Sequence, residues 1–222
     1  MPRIARIVGV QYPHHIVQRG NNREKVFLDP EDFKKYLFLL QKYSKEKEAR
    51  ILAYCLMGNH VHLLIRPMAG NTLFKMMQGV ALCYTQYFNR KNGRTGRIWE
   101  CRYHSSVIDE DRYLWAVSRY IEKNPVRGRL VRRPEEYPYS SARAHLLGKN
   151  DLLLGEPLFS RRELKDYRAF MKGALDRRLQ EEIRRKTKLG KPLGDGRFCK
   201  SLSMKLGRNL TFRARGRPRE KG

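Results

Sequence analysis

The chain lacks the long apolar runs, paired cysteines and balancing acids that mark several common classes of protein. No stretch of about 18 apolar residues occurs, so a typical membrane-spanning helix is not expected. The 4 cysteines form no Cys-x-x-Cys pair, so neither a zinc site nor a disulfide framework is predicted. Acids are few, with 22 Asp and Glu against 48 Lys and Arg and a net charge of +26. A polyanion, most often a nucleic acid, is the expected partner, and an anionic membrane surface is the less favoured alternative.

What is present suffices for a folded core. A chain of 222 residues that is 41% hydrophobic fits one compact domain with an appendage, or two small domains. The first twenty residues contain neither an apolar core segment nor a small-residue cleavage site, so a cytoplasmic protein is expected.

Periodicity predicts seven elements within the first 125 residues. Strands are expected at 7–20, 51–57, 60–65 and 97–108, and helices at 30–43, 72–89 and 111–123. The order β-α-β-β-α-β-α predicts an α+β fold of the ferredoxin-like or RRM-like type. In this split βαβ arrangement we expect an antiparallel sheet with helices on one face and the other face free to bind a ligand.

The composition changes after residue 150. Residues 1–150 are interpreted as one domain, and 151–222 as a basic C-terminal extension that is helical or disordered. Residues 161–188 suggest one charged helix, and Phe198, Leu202 and Leu206 a short docking helix. Arg215 and Arg217 lie in an Arg-Gly-Arg-Pro string that is similar to the core of an AT-hook. A disordered basic tail with non-specific DNA affinity is an equal alternative.

The first candidate site is the string His60-Val61-His62. Because side chains alternate along a strand, both imidazoles leave one face while Val61 points to the other. Two imidazoles on one face can share a divalent metal, although a surface or internally bonded pair is the commoner interpretation of this pattern alone. His14 and His15 alternate in the first strand, so at most one faces the metal side, and a structural or DNA-contact role is favoured for them.

The second candidate site is the pair Tyr120 and Asn124. These residues are four apart on the predicted third helix, so a hydroxyl and an amide oxygen emerge together on one face. Considered alone, Tyr120 is more simply an aromatic at the rim of the core and Asn124 a helix stop before Pro125.

Together, a His-apolar-His strand and a later Tyr-x-x-x-Asn helix resemble the signature of single-tyrosine HUH nucleases. Four local strings, at 14–21, 57–64, 97–103 and 120–127, are similar to those of IS200-like transposases, particularly the REP-associated tyrosine transposases. The resemblance covers residues 5–150, which it identifies as a catalytic domain, with 151–222 as a DNA-binding or regulatory extension.

The resemblance implies a role for each matching residue. Tyr120 is the nucleophile, His60 and His62 bind Mg²⁺ or Mn²⁺, and Asn124 stands where relatives often have Gln as a third ligand. The implied activity is metal-dependent cleavage and joining of single-stranded DNA with hairpins through a 5′-phosphotyrosine. The implied protein is a nucleoid-associated monomer or homodimer with no membrane contact and no obligatory protein partner. The arginines on loops and strand ends expected to contact DNA are Arg19, Arg23, Arg97, Arg102 and Arg127.

Two other functions remain open on the same residues. A nucleic-acid-binding regulator would keep the fold without the chemistry, and the intact set of Tyr120, His60 and His62 speaks against it. A metallohydrolase with an activated water would be indifferent to Tyr120 and would form no covalent protein–DNA species. The aromatic side chains Tyr12, Trp99 and Tyr103 suit either base stacking or the core.

Overall fold

A four-stranded antiparallel sheet forms the centre of the computed structural model, which describes residues 6–174 and 176–210. The strands are β1 (His14–Arg19), β2 (Ala49–Met57), β3 (His60–Pro67) and β4 (His104–Val107). They lie in the order β2-β3-β1-β4 with every neighbouring pair antiparallel. This is the ferredoxin-like order, so the predicted α+β class and split βαβ sheet are confirmed.

The described residues contain eight α-helices. They are α1 (Pro30–Glu46), α2 (Thr72–Lys91), α3 (Glu110–Glu122), α4 (Asn124–Arg127), α5 (Ala142–Leu147), α6 (Arg161–Lys172), α7 (Arg177–Leu189) and α8 (Gly196–Leu206). None of them is both long and apolar enough to cross a bilayer.

Helices α1 and α2 cover one face of the sheet. The Asp29 carboxylate caps α1 by accepting hydrogen bonds from two backbone N–H groups of its first turn, and Pro30 occupies the first position, where an N–H has no partner to lose. The strand residues that point to this face alternate with those that point away. The core on this side includes Ile16, Ile51, Leu63, Ile65, Met76 and Tyr84.

The opposite face, expected to be free, is partly covered. Helix α3 packs across β2 and β3, and α7 packs on β4 and β1. The physical reason is that the strands present apolar side chains on this side too, and burying them is favourable. Leu52, Cys55 and Leu64 are buried there together with Val117, Ile121 and Ile183. A cleft remains open between these helices and the sheet.

Two strands are shorter than predicted. Strand β1 begins at His14 and not at residue 7, because Gln11 adopts a left-handed φ of 66° in a turn and Pro13 has no N–H to donate to a ladder. Strand β4 begins at His104 and not at residue 97. Upstream of it, Trp99 forms only an isolated bridge with Gly20.

The helices after residue 150 fold onto the sheet domain. The predicted single helix over 161–188 is instead two, α6 and α7, and the Asp176 carboxylate caps α7 by accepting from the Arg178 N–H. Helix α8 docks as its apolar spacing predicted, with Leu202 buried against Ile7 and Val107. The boundary at residue 150 stays a prediction.

Glu122, near the end of α3, is a fully buried carboxylate that joins three helices. It accepts hydrogen bonds from Ser141 Oγ at 2.6 Å, His145 Nδ1 at 2.6 Å and Tyr167 Oη at 2.9 Å. Buried charges require such partners. The Glu122 carboxylate thus links the end of α3 to α5, to α6 and to the residue before α5.

Leu64 is fully buried in β3 beneath α3. Leu64→Ala is expected to lower the free energy of unfolding by about 2–5 kcal/mol, because buried contacts are lost and a cavity is left. Urea unfolding measures this change. The control Leu82→Ala alters a side chain of α2 that is 57% exposed, and its effect should stay below about 0.5 kcal/mol. Equal losses in the two variants would contradict this placement of the core.

Candidate active site

A cleft of about 600 Å³ lies between the sheet, α3, α4 and α7. The residues predicted to carry chemistry, Tyr120, His60, His62 and Asn124, all line it. The strand register explains part of this arrangement, since Val17 pairs with His62 and Arg19 with His60. Side chains of these paired positions leave the same face of the sheet.

The two histidines of β3 are held through their Nδ1 atoms. His60 Nδ1 lies 2.6 Å from the Asn59 amide oxygen, and His62 Nδ1 lies 3.0 Å from His15 Nε2. An amide oxygen only accepts, so His60 carries its proton on Nδ1 and its Nε2 has the lone pair that a metal needs. The two ring centroids are 5.0 Å apart.

Burial and neighbouring cations keep both histidines neutral. Burial, followed by the charges of Arg19 and Arg127, lowers the pKa of His60 to about 4. The pKa of His62 is lowered well below its usual value, first by burial and then by His60, His15 and the two arginines. Neutral imidazole is the form that binds a metal ion.

Tyr120 lies on α3 with its ring against the histidines. Its ring centroid is 5.6 Å from those of His15 and His62, in edge-on contacts. The Arg184 Nε–H donates to the Tyr120 hydroxyl oxygen at 3.3 Å, and the Arg127 guanidinium lies 4.2 Å from the ring centroid. Tyr120 is only 3% exposed. Two cations therefore surround a nearly buried phenol.

Asn124 begins α4 and is buried at the edge of the cleft. Its amide nitrogen donates to the carbonyl oxygens of Tyr120 at 2.9 Å and Ile121 at 3.0 Å. Its Oδ1 accepts a hydrogen bond from Arg127. The side chain thus caps the end of α3 and also lines the cleft, and its role as a metal ligand stays a prediction.

The predicted DNA-contact arginines divide into three sets. Arg19, Arg23 and Arg127 line the cleft. Arg97 and Arg102 are exposed but do not line it. Arg215 and Arg217 lie outside the described residues.

Of the three candidate stacking aromatics, Trp99 and Tyr103 are buried and Tyr12 is half-buried. Trp99 is 6% exposed and packs beside Tyr36 and Tyr84. Tyr103 is buried under the guanidinium of Arg6, and Tyr12 packs edge-on against Phe198. The core interpretation therefore fits Trp99 and Tyr103, while Tyr12 packs at the edge of a smaller apolar cluster.

Sequence reasoning missed the contribution of α7. Arg184 and Thr187 reach the cleft from this helix, and Thr187 Oγ1 lies 2.9 Å from His15 Nδ1. One signal was available. Leu179, Ile183 and Thr187 recur every four residues in an otherwise charged helix, which is the pattern of a side that packs on protein.

No group of three or more His, Cys, Asp or Glu side chains arranged to hold a metal ion occurs in the part of the chain that the structure describes.

Comparison with known proteins identifies the family. The sequence profile of the family described as "Transposase IS200 like" matches residues 10–124, just over half of the chain. The chain belongs to the IS200-like transposase family. Family membership makes it a transposase, a protein that acts on DNA. The matched range contains His60, His62, Tyr120 and Asn124.

Two solved structures are similar to this IS200-like transposase. A REP-associated tyrosine transposase bound to a REP hairpin matches with a TM-score of 0.53 and 15% identity, over 72% of this chain and 94% of that chain. A transposase described as putative, from Deinococcus radiodurans R1, matches with a TM-score of 0.37 and 19% identity, over 50% of this chain and 90% of that one. The search of curated proteins found no match.

The buried histidines predict a loss of stability on mild acidification of the metal-free protein. Burial lowers the pKa of His14 to about 4, of His15 to about 3 and of His60 to about 4, and that of His62 well below 6.5. Below about pH 6.5 the unfolded chain binds protons that the folded chain does not. The free energy of unfolding should therefore fall as the pH drops from 6.5 toward 4, by up to about 1.4 kcal/mol per pH unit for each histidine.

Urea unfolding between pH 7 and 5, in the presence of a chelator, measures how the free energy of unfolding changes with pH. This range lies above that in which carboxylates titrate. His14→Gln removes one such histidine outside the cleft and should flatten the slope by its share. A flat profile in the unaltered protein would refute the prediction.

Proposed function

We propose that this protein is a metal-dependent single-tyrosine nuclease and strand transferase that acts on single-stranded DNA next to hairpins. The observation that carries the proposal is the meeting of Tyr120 with two neutral histidines, His60 and His62, in one cationic cleft. The hairpin substrate is supported by the similarity to a REP-associated transposase that was solved with a REP hairpin.

His60 and His62 are proposed to hold Mg²⁺ or Mn²⁺ through Nε2. The donor set fits, because Nδ1 of each ring is already engaged and both rings are kept neutral. Asn124 is the proposed third ligand, and ligation would require its Oδ1 to exchange the Arg127 N–H for the ion. When bound, the ion supplies positive charge that polarises the scissile phosphate.

The proposed step is attack of the Tyr120 oxygen on phosphorus. A bond forms between Tyr120 Oη and phosphorus, the bond from phosphorus to the 3′ oxygen breaks, and the 3′ oxygen leaves as a hydroxyl after taking a proton. The phenol proton passes to solvent. The product is a 5′-phosphotyrosine, and because a phosphodiester bond is conserved, another 3′-hydroxyl can reverse the step and join strands.

Arginines of the cleft are proposed to support this step. Arg184 donates to the Tyr120 oxygen and so orients it for attack, while Arg127 adds positive charge over the ring. Arg19 and Arg23 are proposed to hold backbone phosphates at the cleft. Arg97 and Arg102, and Arg215 and Arg217 of the tail, are proposed to extend this contact to DNA outside the cleft.

A second candidate function is a nucleic-acid-binding regulator on the same fold that does not cleave. The observation that favours it is the cover over Tyr120, whose side chain is 3% exposed and whose hydroxyl is contacted by Arg184. The two functions differ in whether a covalent protein–DNA species forms.

Tyr120→Phe is expected to abolish a covalent adduct, because it removes the attacking oxygen and little else. Purified protein is incubated with Mn²⁺ or Mg²⁺ and 3′-labelled single strands carrying hairpins. Label that stays on the protein in a denaturing gel reports the 5′-phosphotyrosine. His60→Ala and a chelator should each abolish the same band.

Two results would count against the nuclease. Equal labelling of wild type and Tyr120→Phe would show that Tyr120 is not the nucleophile. Tight binding of the same strands with no labelling in any protein would favour the regulator.

Arg184→Gln is expected to slow adduct formation by roughly 10- to 100-fold, because a donor to the reacting oxygen is lost. Single-turnover labelling at saturating DNA and Mn²⁺ measures the rate. Arg185→Gln is the matched control, since it makes the same charge change on the same helix and does not line the cleft. Equal slowing by both variants would indicate that Arg184 acts only by attracting DNA. Faster labelling by Arg184→Gln would show that the hydrogen bond from Arg184 to Tyr120 is inhibitory.

A further inference from the structure

A buried chain of hydrogen bonds runs from α7 through β1 to β3. Thr187 Oγ1 lies 2.9 Å from His15 Nδ1, and His15 Nε2 lies 3.0 Å from His62 Nδ1. The two imidazoles are stacked, with 5.3 Å between centroids and 7° between planes. All three side chains are buried. Water therefore has little access to the polar atoms of this chain, and these atoms satisfy one another.

The chain has two possible proton arrangements. In one, the Thr187 hydroxyl donates to His15 Nδ1, His15 Nε2–H donates to His62 Nδ1, and the proton of His62 lies on Nε2. In the other, His62 Nδ1–H donates to His15 Nε2, His15 Nδ1–H donates to Thr187 Oγ1, and His62 Nε2 has a lone pair. Only the second arrangement lets His62 bind a metal ion through Nε2.

Thr187 suits this role because a hydroxyl can both donate and accept. Its place is fixed by the packing of α7, since Ile183 one turn earlier is fully buried among residues that include Val117. The chain after α7 is also joined to β4: the Leu193 N–H donates to the Val107 carbonyl oxygen at 2.8 Å, and Ser106 Oγ donates to the Lys191 carbonyl oxygen at 2.6 Å.

We propose that Thr187 and His15 are positioning residues that hold His62 as an Nε2 metal ligand, so that α7 of the C-terminal extension is part of the metal site. The inference rests on the proposed function, because it assumes that His62 binds the ion. Outer hydrogen-bond partners of metal-binding histidines fix the tautomer and the ring orientation. Here the outermost partner comes from a helix far from the ligand in sequence.

The test is Mn²⁺ binding by the full-length protein, measured by electron paramagnetic resonance titration without DNA. Thr187→Val keeps the shape of the side chain but removes the acceptor, and should weaken Mn²⁺ binding by about 10- to 100-fold. Thr187→Ser restores a hydroxyl and should bind close to wild type. Thr85→Val is the control, because the Thr85 hydroxyl donates within α2, to the Ala81 carbonyl oxygen, and does not line the cleft. This variant should bind Mn²⁺ as wild type does.

The outcomes separate this inference from the proposed function. Wild-type affinity in Thr187→Val would overturn the inference and leave the function intact. Two results would overturn both the inference and the proposed function. One is that His62→Ala binds Mn²⁺ as tightly as wild type, and the other is that the wild type does not bind Mn²⁺. If Thr187→Val does not fold, imidazole nitrogen NMR of the wild type with Mg²⁺ decides: protons on Nδ1 of both His15 and His62 support the inference, and a proton on Nε2 of His15 overturns it.

Discussion

The site depends on keeping two imidazoles neutral and side by side on a sheet face. His60 and His62 leave β3 on the same side as Leu64, which must be buried. Covering that side with α3 and α7 removes water from the rings, and loss of hydration disfavours the charged form of histidine. The same cover places Tyr120 beside the rings. The packing that buries the second face of the sheet therefore also keeps the candidate metal ligands neutral.

Local periodicity was enough to predict much of this arrangement. Alternation along β3 placed His60 and His62 on one face, and helical spacing placed Tyr120 and Asn124 together on α3 and at its end. Strand lengths were overestimated, because apolar composition does not reveal where the turn at Gln11 ends the pairing. The family resemblance implied the roles of nucleophile and metal ligand for Tyr120, His60, His62 and Asn124, and the structure brings these residues into one cleft.

The part that the sequence did not predict arises from tertiary packing. His15 was expected to be structural or to contact DNA, and its link to His62 depends on which positions of β1 and β3 pair. Thr187 reaches His15 because Ile183 is buried with the residues of α3 and β3, a long-range contact that the helix pattern does not specify. The charged composition of α7 concealed its buried side. Leu179, Ile183 and Thr187 are the buried or half-buried residues through which α7 packs, and they lie among many cationic side chains.

Helix α3 is fixed on both sides. One side presents Tyr120 to the histidines, and the other is held by Glu122, whose carboxylate bonds Ser141, His145 and Tyr167. The helix also packs on β2 and β3 of its own chain. The tyrosine and the histidines therefore come from the same polypeptide, and their relative geometry is set when that chain folds. Contacts within one chain are sufficient to build this arrangement, so the cleft and its side chains form a self-contained unit of the fold.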